Sequence, residues 1–540
     1  MLGAIKKYRF VLLCISGLLT ALTVAFPKVG ALEWITLIPA ALVLISCAED
    51  RQIRLRSIYG YGAVFFMSFY LVIYHWFLYM YPLEFMEVEK SVAVLVVVVA
   101  WIGLSIVQTV TSSLIFLVFA FVLRSRVFEK FKICAPFFAA ALWATIEWSQ
   151  TIGWWGVPWG RLCLGQTETG LTLLSASVFG SYFISFLIVA VNFCLAYILV
   201  KQDFAKVLSV ACVCMVVGNL LIGAVVRLTY SNKEENKITF AAIQGNIPLN
   251  EKWGDDMKDK IEIVQTKHTL EAAEAGADVI VWAETAFPYD LDSELAEYFS
   301  SLAREAGATL IATSFVNPEE PVYSENGRPR SYNCLIEVRE DGSFGEDMYS
   351  KQRRVPFAEF VPLRGLVTVI IPPLAELNML PDDVLPGEES TVMHTEKGNI
   401  GGMICFDSVY ENISLEAVRG GAQILLVSTN DAWFDDSAEN YMHTSQSKLR
   451  AIETGRYVVR AANTGISGII NPLGEFEDRL GILEEGYVIG DIYLREQTTI
   501  YTVIGNLFAY ICLSFTSGAL AVSAFVYMKD EKNKGKGKTA

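Results

Sequence analysis

A glutamate, a lysine and a cysteine each end or follow a short run of β-forming residues: Glu284 in "DVIVWAE", Lys351 in "EDMYSK" and Cys405 in "NIGGMIC". Cysteine attacks carbon only as thiolate, so its free pKa of about 8.5 has to be overcome by a base or a nearby cation. Histidine usually does this. The chain has four, His75, His268, His394 and His443, and none stands at the end of a predicted strand. A carboxylate at Glu284 can instead take the thiol proton and later activate an incoming amine or water. The Lys351 ammonium can stabilise the thiolate and then, with the backbone N–H of Phe406, the oxyanion of a tetrahedral intermediate. The same residues also suit plain structure, as a buried thiol beside a Glu–Lys ion pair. Spacing alone leaves both readings open.

Positioning such a trio needs a folded scaffold, and residues 232–498 have the pattern of one. "ITFAAIQ", "DVIVWAE", "TLIATSF", "YNCLIEV", "EDMYSKQ", "NIGGMIC" and "QILLVSTN" read as strands. "DKIEIVQTKHTLEAAEAG", "SELAEYFSSLAREAG" and "VYENISLEAVRGG" between them have helical spacing and stop at glycine. Alternation of this kind predicts a layered α/β domain, whose ligands bind outside the carboxyl ends of the strands.

The remainder is far more apolar. The chain is 53% hydrophobic, with a mean hydropathy of +0.39, and the excess lies before residue 228 and after 499. A crossing helix needs about 20 apolar residues. Predicted spans are 8–26, 32–48, 57–80, 92–123, 133–151, 171–200, 206–227 and 500–527. The division expected is a membrane domain at 1–231, a catalytic domain at 232–498, a last span at 499–528 and a basic tail at 529–540. The first span reads as an uncleaved anchor, because "ALTVAFPKVGALEW" lacks a small-x-small cleavage site. Lys6, Lys7 and Arg9, then Arg51, Arg54 and Arg56, then Arg124, Arg126, Lys130 and Lys132, then Lys201 and Lys206 make every second loop basic. The positive-inside rule then puts both termini in the cytoplasm and the α/β domain outside, in the periplasm of a Gram-negative cell. "GKGKT" in the tail resembles part of a phosphate-binding loop, but it lacks the flanking strand and helix and reads as a basic anchor.

The net charge of −15 comes largely from the α/β part and argues against nucleic acid as a partner. Its acidity reads as a solvated surface. A Cys334–Cys405 disulfide would consume the nucleophile, so Cys334 is expected to be a buried strand thiol. Trp148, Trp154, Trp155 and Trp159 fit either an interfacial aromatic belt or a lipid-binding surface.

"VWAETAFP", "YSKQRRVPFAEFVP" and "GMICFDSVY" closely resemble, in order, the three signature segments of the nitrilase superfamily. "FAAIQGNIPLNEKW", "VSTNDAWFDDS" and the outer loop "GWWGVPWGRLCLGQ" resemble one membrane branch of it, the apolipoprotein N-acyltransferases. The resemblance implies an αββα sandwich inserted between membrane helices. It implies Glu284 as general base, Lys351 as oxyanion and thiolate stabiliser, and Cys405 as nucleophile. Glu359 matches a supporting glutamate and Trp253 a tryptophan of the first segment, while Trp433 falls in a segment that fits a mobile loop or plain packing. Phe406-Asp407 replaces the family's usual Tyr-Glu, which leaves the carboxylate one methylene shorter and removes the phenolic hydroxyl. The reaction implied is transfer of a fatty acyl chain from a membrane phospholipid to the α-amino group of an N-terminal S-diacylglyceryl-cysteine, the last step of lipoprotein maturation, at the bacterial inner membrane and without a cofactor.

Two other classes use the same features. A membrane-tethered amidase or nitrilase would employ the trio with water as acceptor. A transporter or scaffold would leave the trio idle, but the spans lack the paired buried charges of ion-coupled transport.

Overall fold

The computed structural model describes residues 2–83, 89–125, 131–153, 156–232, 236–252, 257–323, 327, 329–365, 369, 384–388 and 392–536. Trp154, Trp155, Trp253 and residues 537–540 of the tail therefore lie outside the described residues.

Among the described residues, the longer helices of the first body are α1 (Arg9–Ala25), α2 (Ile38–Glu49), α3 (Leu55–Ile73), α4 (Lys90–Ser112), α5 (Leu114–Leu123), α6 (Ala135–Ser149), α7 (Ser181–Val200) and α8 (Ala205–Thr229). Among the described residues, six helical stretches are long and apolar enough to cross a membrane: Pro27–Glu49, Leu55–Met80, Lys90–Leu123, Ser181–Val200, Ala205–Thr229 and Leu507–Asp530. The first and fifth predicted spans are helices of 17 and 15 residues, short of a straight crossing. Leu95, Val99, Val210, Leu221 and Phe525 stand exposed, as hydrocarbon-facing side chains do.

Three span boundaries differ from the hydropathy reading, each for a local reason. The helix predicted at 92–123 breaks at Ser113, whose hydroxyl donates to Thr109 O at 2.6 Å and competes with the helical ladder. The span predicted from 171 is divided at Gly180, where a short helix, Ala176–Phe179, ends and the long helix from Ser181 begins. Gly180 before it has φ +81°, and a Cβ there would lie 2.4 Å from the Tyr501 ring. The last span begins at Leu507, after Gly505 with φ +58°.

The second body is a two-sheet sandwich. One sheet contains β1 (Lys237–Gln244), β2 (Val279–Val281), β3 (Thr309–Val316), β4 (Tyr332–Val338) and β5 (Phe344–Ser350). Helices α9 (Lys258–Glu274) and α10 (Ser293–Ala306) cover it. The Asp292 side chain caps α10 by accepting from Leu295 N at 2.8 Å, and Gly307 ends it in the left-handed conformation. The other sheet contains β6 (Val392–Thr395), β7 (Gly398–Ile404), β8 (Ile424–Thr429), β9 (Val458–Ala462), β10 (Gly468–Ile470) and β11 (Phe476–Arg479). Its covering helices are α11 (Glu411–Arg419) and α12 (Ala438–Thr454). Strand β12 (Gly486–Tyr493) returns to the first sheet, giving the orders β12-β1-β2-β3-β4-β5 and β11-β10-β9-β8-β7-β6. The last helix, α13 (Leu507–Lys536), packs back on α6. An αββα sandwich joined to apolar helices is thus the fold.

Parallel strands covered on both faces are apolar throughout: β2 is Val-Ile-Val, and every residue of β8 is buried. The two glycines of "GGMIC" answer to the two faces of β7. A Cβ on Gly401 would meet Ala417 of α11 at 2.8 Å, and one on Gly402 would meet the Tyr349 ring of the opposite sheet at 2.5 Å. Both layers approach β7 so closely that only hydrogen fits.

Strand direction brings the trio to one edge. β1, β2 and β3 are parallel, β4 runs against β3, and β5 runs against β4. Two reversals return the end of β5 to the edge where β2 and β3 end. β7 pairs in parallel with β8 in the facing sheet.

Candidate active site

Glu284 lies three residues past β2, in a turn and not at the strand end as predicted. Thr313 on β3 holds that turn, donating its hydroxyl to Ala283 O and accepting from Ala286 N at 2.9 Å. Lys351 directly follows β5, and its N–H donates to Asn333 O at 2.9 Å. Cys405 directly follows β7 and opens a 3₁₀ turn, Cys405–Val409. Its φ of +49°, like the +46° of Thr285, is in the left-handed region that costs a non-glycine residue about 1–3 kcal/mol.

The three side chains converge. Lys351 Nζ donates to Glu284 Oε1 at 2.8 Å and to Glu359 Oε1 at 2.7 Å. Asn333 Nδ2 donates to the same Glu284 oxygen at 2.9 Å, and the backbone N–H of Asn430 to Glu284 Oε2 at 3.1 Å. Glu359 Oε2 accepts from Val355 N at 2.8 Å. Lys252 lies beneath, giving its ammonium to Glu284 O at 3.0 Å and Thr285 Oγ1 at 2.9 Å. Glu284, Lys351 and Glu359 are buried, whereas Cys405 keeps part of its surface open.

Burial pushes the Cys405 thiol well above its usual range; Glu284 adds to this and Lys351 opposes it. Burial works against the Lys351 ammonium, yet Glu284, then Glu359 and Cys405, hold its pKa well above a lysine's usual value. Burial raises the Glu359 carboxyl against the pull of Lys351. Lys252, surrounded by protein, is brought down to about 7 by burial, with Glu284 working the other way. Sulfur in the resting site is therefore held as the thiol, and its attack requires that proton to move first.

The neighbours named from sequence do different jobs. Asp407, fully buried, faces back into the fold. It accepts from Arg353 N at 2.7 Å, Ile404 N at 3.0 Å and Tyr349 OH at 2.8 Å, tying β5 to the nucleophile turn. Burial lifts its carboxyl to about 6, against those hydrogen bonds and Lys351. The Phe406 ring packs edge-on against Tyr410 at 5.2 Å. Trp433 is half-buried in the turn Asp431–Phe434, whose Phe434 ring lies 4.8 Å from Trp76 of the helical body. Trp159 is buried between Trp76 and His443, at ring distances of 5.9 and 5.6 Å, so it is no mere interfacial belt residue. Cys334 is a free, buried thiol, and no disulfide joins it to Cys405.

Sequence reasoning missed Asn333, Asn430, Lys252 and His443. Asn430 carried a usable signal, since it follows "ILLVST" as Cys405 follows "NIGGMI". Asp431, Glu439 and His443 bring ligand atoms within 4.8 Å of one another. Arg460 Nη2 already lies 2.6 Å from Asp431 Oδ2 and 3.3 Å from His443 Nδ1, so a guanidinium holds the place a metal cation would take.

The chain is similar to known proteins along most of its length. The sequence model of the apolipoprotein N-acyltransferase N-terminal domain matches residues 16–194, and that of the carbon–nitrogen hydrolase family matches 239–500. The apolipoprotein N-acyltransferase of Geobacter metallireducens is 28% identical over 538 residues, covering 97% of this chain and 96% of its own length. That of Gloeobacter violaceus is 26% identical over 523 residues, covering 94% and 92%. Among solved structures, a branch 10 nitrilase-superfamily member from Saccharomyces cerevisiae aligns at 16% identity with a TM-score of 0.38, covering 51% of this chain and 96% of its own. Both domain models match in succession and the relatives align over nearly their whole length, so the chain is similar throughout to apolipoprotein N-acyltransferases, and its α/β domain to the carbon–nitrogen hydrolases.

Proposed function

We propose that the protein moves a fatty acyl chain from a membrane phospholipid to the α-amino group of an N-terminal S-diacylglyceryl-cysteine, by way of a thioester on Cys405. The observation that carries this reading is the Lys351–Glu284 ion pair of 2.8 Å beside a part-exposed cysteine, in a domain packed on apolar helices. Both substrates are lipid-anchored, which suits a catalyst built into the bilayer.

In the first half-reaction Glu284 takes the thiol proton and the thiolate attacks the ester carbonyl. Lys351 and the Phe406 N–H stabilise the oxyanion. Collapse breaks the ester C–O bond, and the leaving lysophospholipid oxygen receives the proton from Glu284. In the second, Glu284 takes a proton from the incoming amine, whose nitrogen attacks the thioester. Collapse forms the amide and expels the thiolate, which recovers its proton from Glu284. The amide is the more stable acyl derivative, so the second step runs downhill. A ping-pong mechanism follows. Glu359 holds the free side of the ammonium, and Asp407 holds the turn. Trp253 and Trp433 are assigned to the substrate side on family resemblance. The basic alternate loops support cytoplasmic termini and a periplasmic catalytic domain in the inner membrane.

Incubating the full-length protein with phospholipid and a diacylglyceryl lipopeptide, then weighing the peptide, tests the reading. Gain of one acyl chain is expected. Release of free fatty acid with an unchanged peptide would make the protein a hydrolase instead.

A further inference from the structure

Beneath the Cys405 turn lies a buried polar cluster that the proposed reaction does not use. His443, on α12, is 1% exposed. Its Nε2 stands 3.1 Å from Cys405 O and 2.9 Å from Ser408 Oγ, and the Ser408 hydroxyl donates to the same carbonyl at 2.8 Å. A carbonyl oxygen only accepts, so the 3.1 Å contact is a hydrogen bond in the states that carry a proton on Nε2. On the other side of the ring, Nδ1 lies 3.0 Å from Asp431 Oδ1, 3.3 Å from Arg460 Nη2 and 3.6 Å from Glu439 Oε1. Asp431 is itself fixed by Arg460 at 2.6 Å and by the Thr429 hydroxyl at 2.8 Å. The Trp159 ring, from the helical body, packs against the imidazole at 5.6 Å.

We propose that His443 is a positioning residue that, through the Cys405 carbonyl, orients and polarises the Phe406 N–H as an oxyanion donor. The inference rests on the acyl-transfer reading above. Cys405 C=O and Phe406 N–H belong to one planar peptide unit, so holding the oxygen holds the direction of the N–H at its opposite end. Two donors on the carbonyl draw charge toward it and make that N–H a stronger donor. The left-handed backbone of Cys405 persists only where its surroundings hold it, and these two hydrogen bonds do so at the residue itself. Asp431 favours a second proton on Nδ1, and Arg460 and burial disfavour it. The neutral tautomer with its proton on Nε2 and the imidazolium both donate to Cys405 O; the neutral tautomer with its proton on Nδ1 does not, and the Arg460 guanidinium, a donor 3.3 Å from Nδ1, disfavours it.

Two reactions of Cys405 separate this from general structural support. Acylation by a p-nitrophenyl fatty ester passes through an oxyanion; alkylation by iodoacetamide does not. In the full-length enzyme in phospholipid–detergent micelles, His443→Leu should slow acylation by about 10- to 100-fold, part of what a lost oxyanion donor costs. Alkylation should stay within about 2-fold, the scatter of an unperturbed thiol. His443→Gln, which retains an N–H donor, should recover part of the acylation rate, and Ser408→Ala should show a smaller loss of the same signature. A parallel fall in both reactions, unchanged acylation in His443→Leu, or a Gln variant as slow as Leu would each overturn the inference. Wild-type enzyme that takes up no acyl group at Cys405 would overturn the acyl-transfer reading, and this inference with it.

Discussion

The ammonium of Lys351 lies 2.8 Å from Glu284 Oε1, while the other oxygen of that carboxylate accepts from Asn430 N. In the proposed reaction the same side chain both anchors the cation and serves as base for the sulfur.

Neutralising that group should pull two reactions of Cys405 apart. The Glu284 carboxylate is among the causes that raise the thiol pKa. Glu284→Gln therefore lowers the pH midpoint of iodoacetamide alkylation and raises the thiolate fraction at fixed pH. It also removes the proton acceptor, so acylation by phospholipid should slow by about 10²- to 10⁴-fold. Measuring both rates across pH checks this; acylation that survives would assign the proton to another base.

Parallel strands put chemistry at their carboxyl ends, and that rule drew attention to Cys405. Spacing left a buried structural thiol equally open, and the role of nucleophile came from the resemblance to the nitrilase signature segments. Glu284 was placed on the same rule, although β2 stops at Val281 and a turn carries it the rest of the way. Lys351 reaches the same edge only through two strand reversals, a fact of pairing that no local pattern states. His443 was beyond reach for a different reason. It sits mid-helix, and its importance comes from a carbonyl 38 positions earlier in the chain. In the membrane body, hydropathy located the apolar runs but did not register Ser113 or Gly180, where a hydroxyl and a ring contact set the ends.

Asp407 gives a pH-dependent stability of known sign. Its folded pKa of about 6 lies above the roughly 3.9 of an unfolded aspartate. The folded state thus binds the proton more tightly, and this stabilisation is full below the unfolded value and lost as pH rises through the folded one. Relative to Asp407→Asn, the wild type should lose thermal stability from about pH 4 to about pH 6 and run parallel above. Paired melting curves across that window test it; a constant offset would mean that the carboxyl titrates normally.

Gly402 is held to glycine by the opposite sheet. Gly402→Ala would drive a methyl to 2.5 Å from Tyr349 Cγ, with Tyr349 Cβ and Cδ1 at 2.8 Å. The ring cannot retreat without pulling its hydroxyl from Asp407 Oδ2 at 2.8 Å. Overpacking of this kind costs about 1–3 kcal/mol. A lowered melting temperature together with slower Cys405 acylation is the expected pair of effects. Unchanged acylation would show that the Asp407 turn tolerates the shift.

The two bodies are joined by a buried ionic contact. Arg161, in the loop between α6 and α7, is fully buried; it donates to Gln446 Oε1 at 2.7 Å and Val409 O at 3.2 Å and lies 3.4 Å from Glu411 Oε2. Glu411 also accepts from Tyr182 at 2.6 Å and Asn506 at 3.1 Å, so residues from the α6–α7 loop, α7 and the approach to α13 meet on one carboxylate. Burial opposes the charge of Glu411, but Arg161 and then Arg450 keep its pKa below the usual glutamate value. Arg161→Ala leaves that carboxylate with Arg450 at 3.9 Å as its remaining close cation among the described residues. Breaking one side of a buried pair costs about 3–5 kcal/mol, so thermal unfolding in micelles should start markedly earlier. Val409, on the same loop contact, ends the 3₁₀ turn that Cys405 begins. Acylation of the variant should therefore fall even at temperatures where it remains folded. Arg161→Lys, which restores charge but cannot reach Gln446, Val409 and Glu411 together, should recover stability more fully than rate. Full activity in Arg161→Ala at low temperature would show that the contact fastens the two bodies without shaping the nucleophile turn.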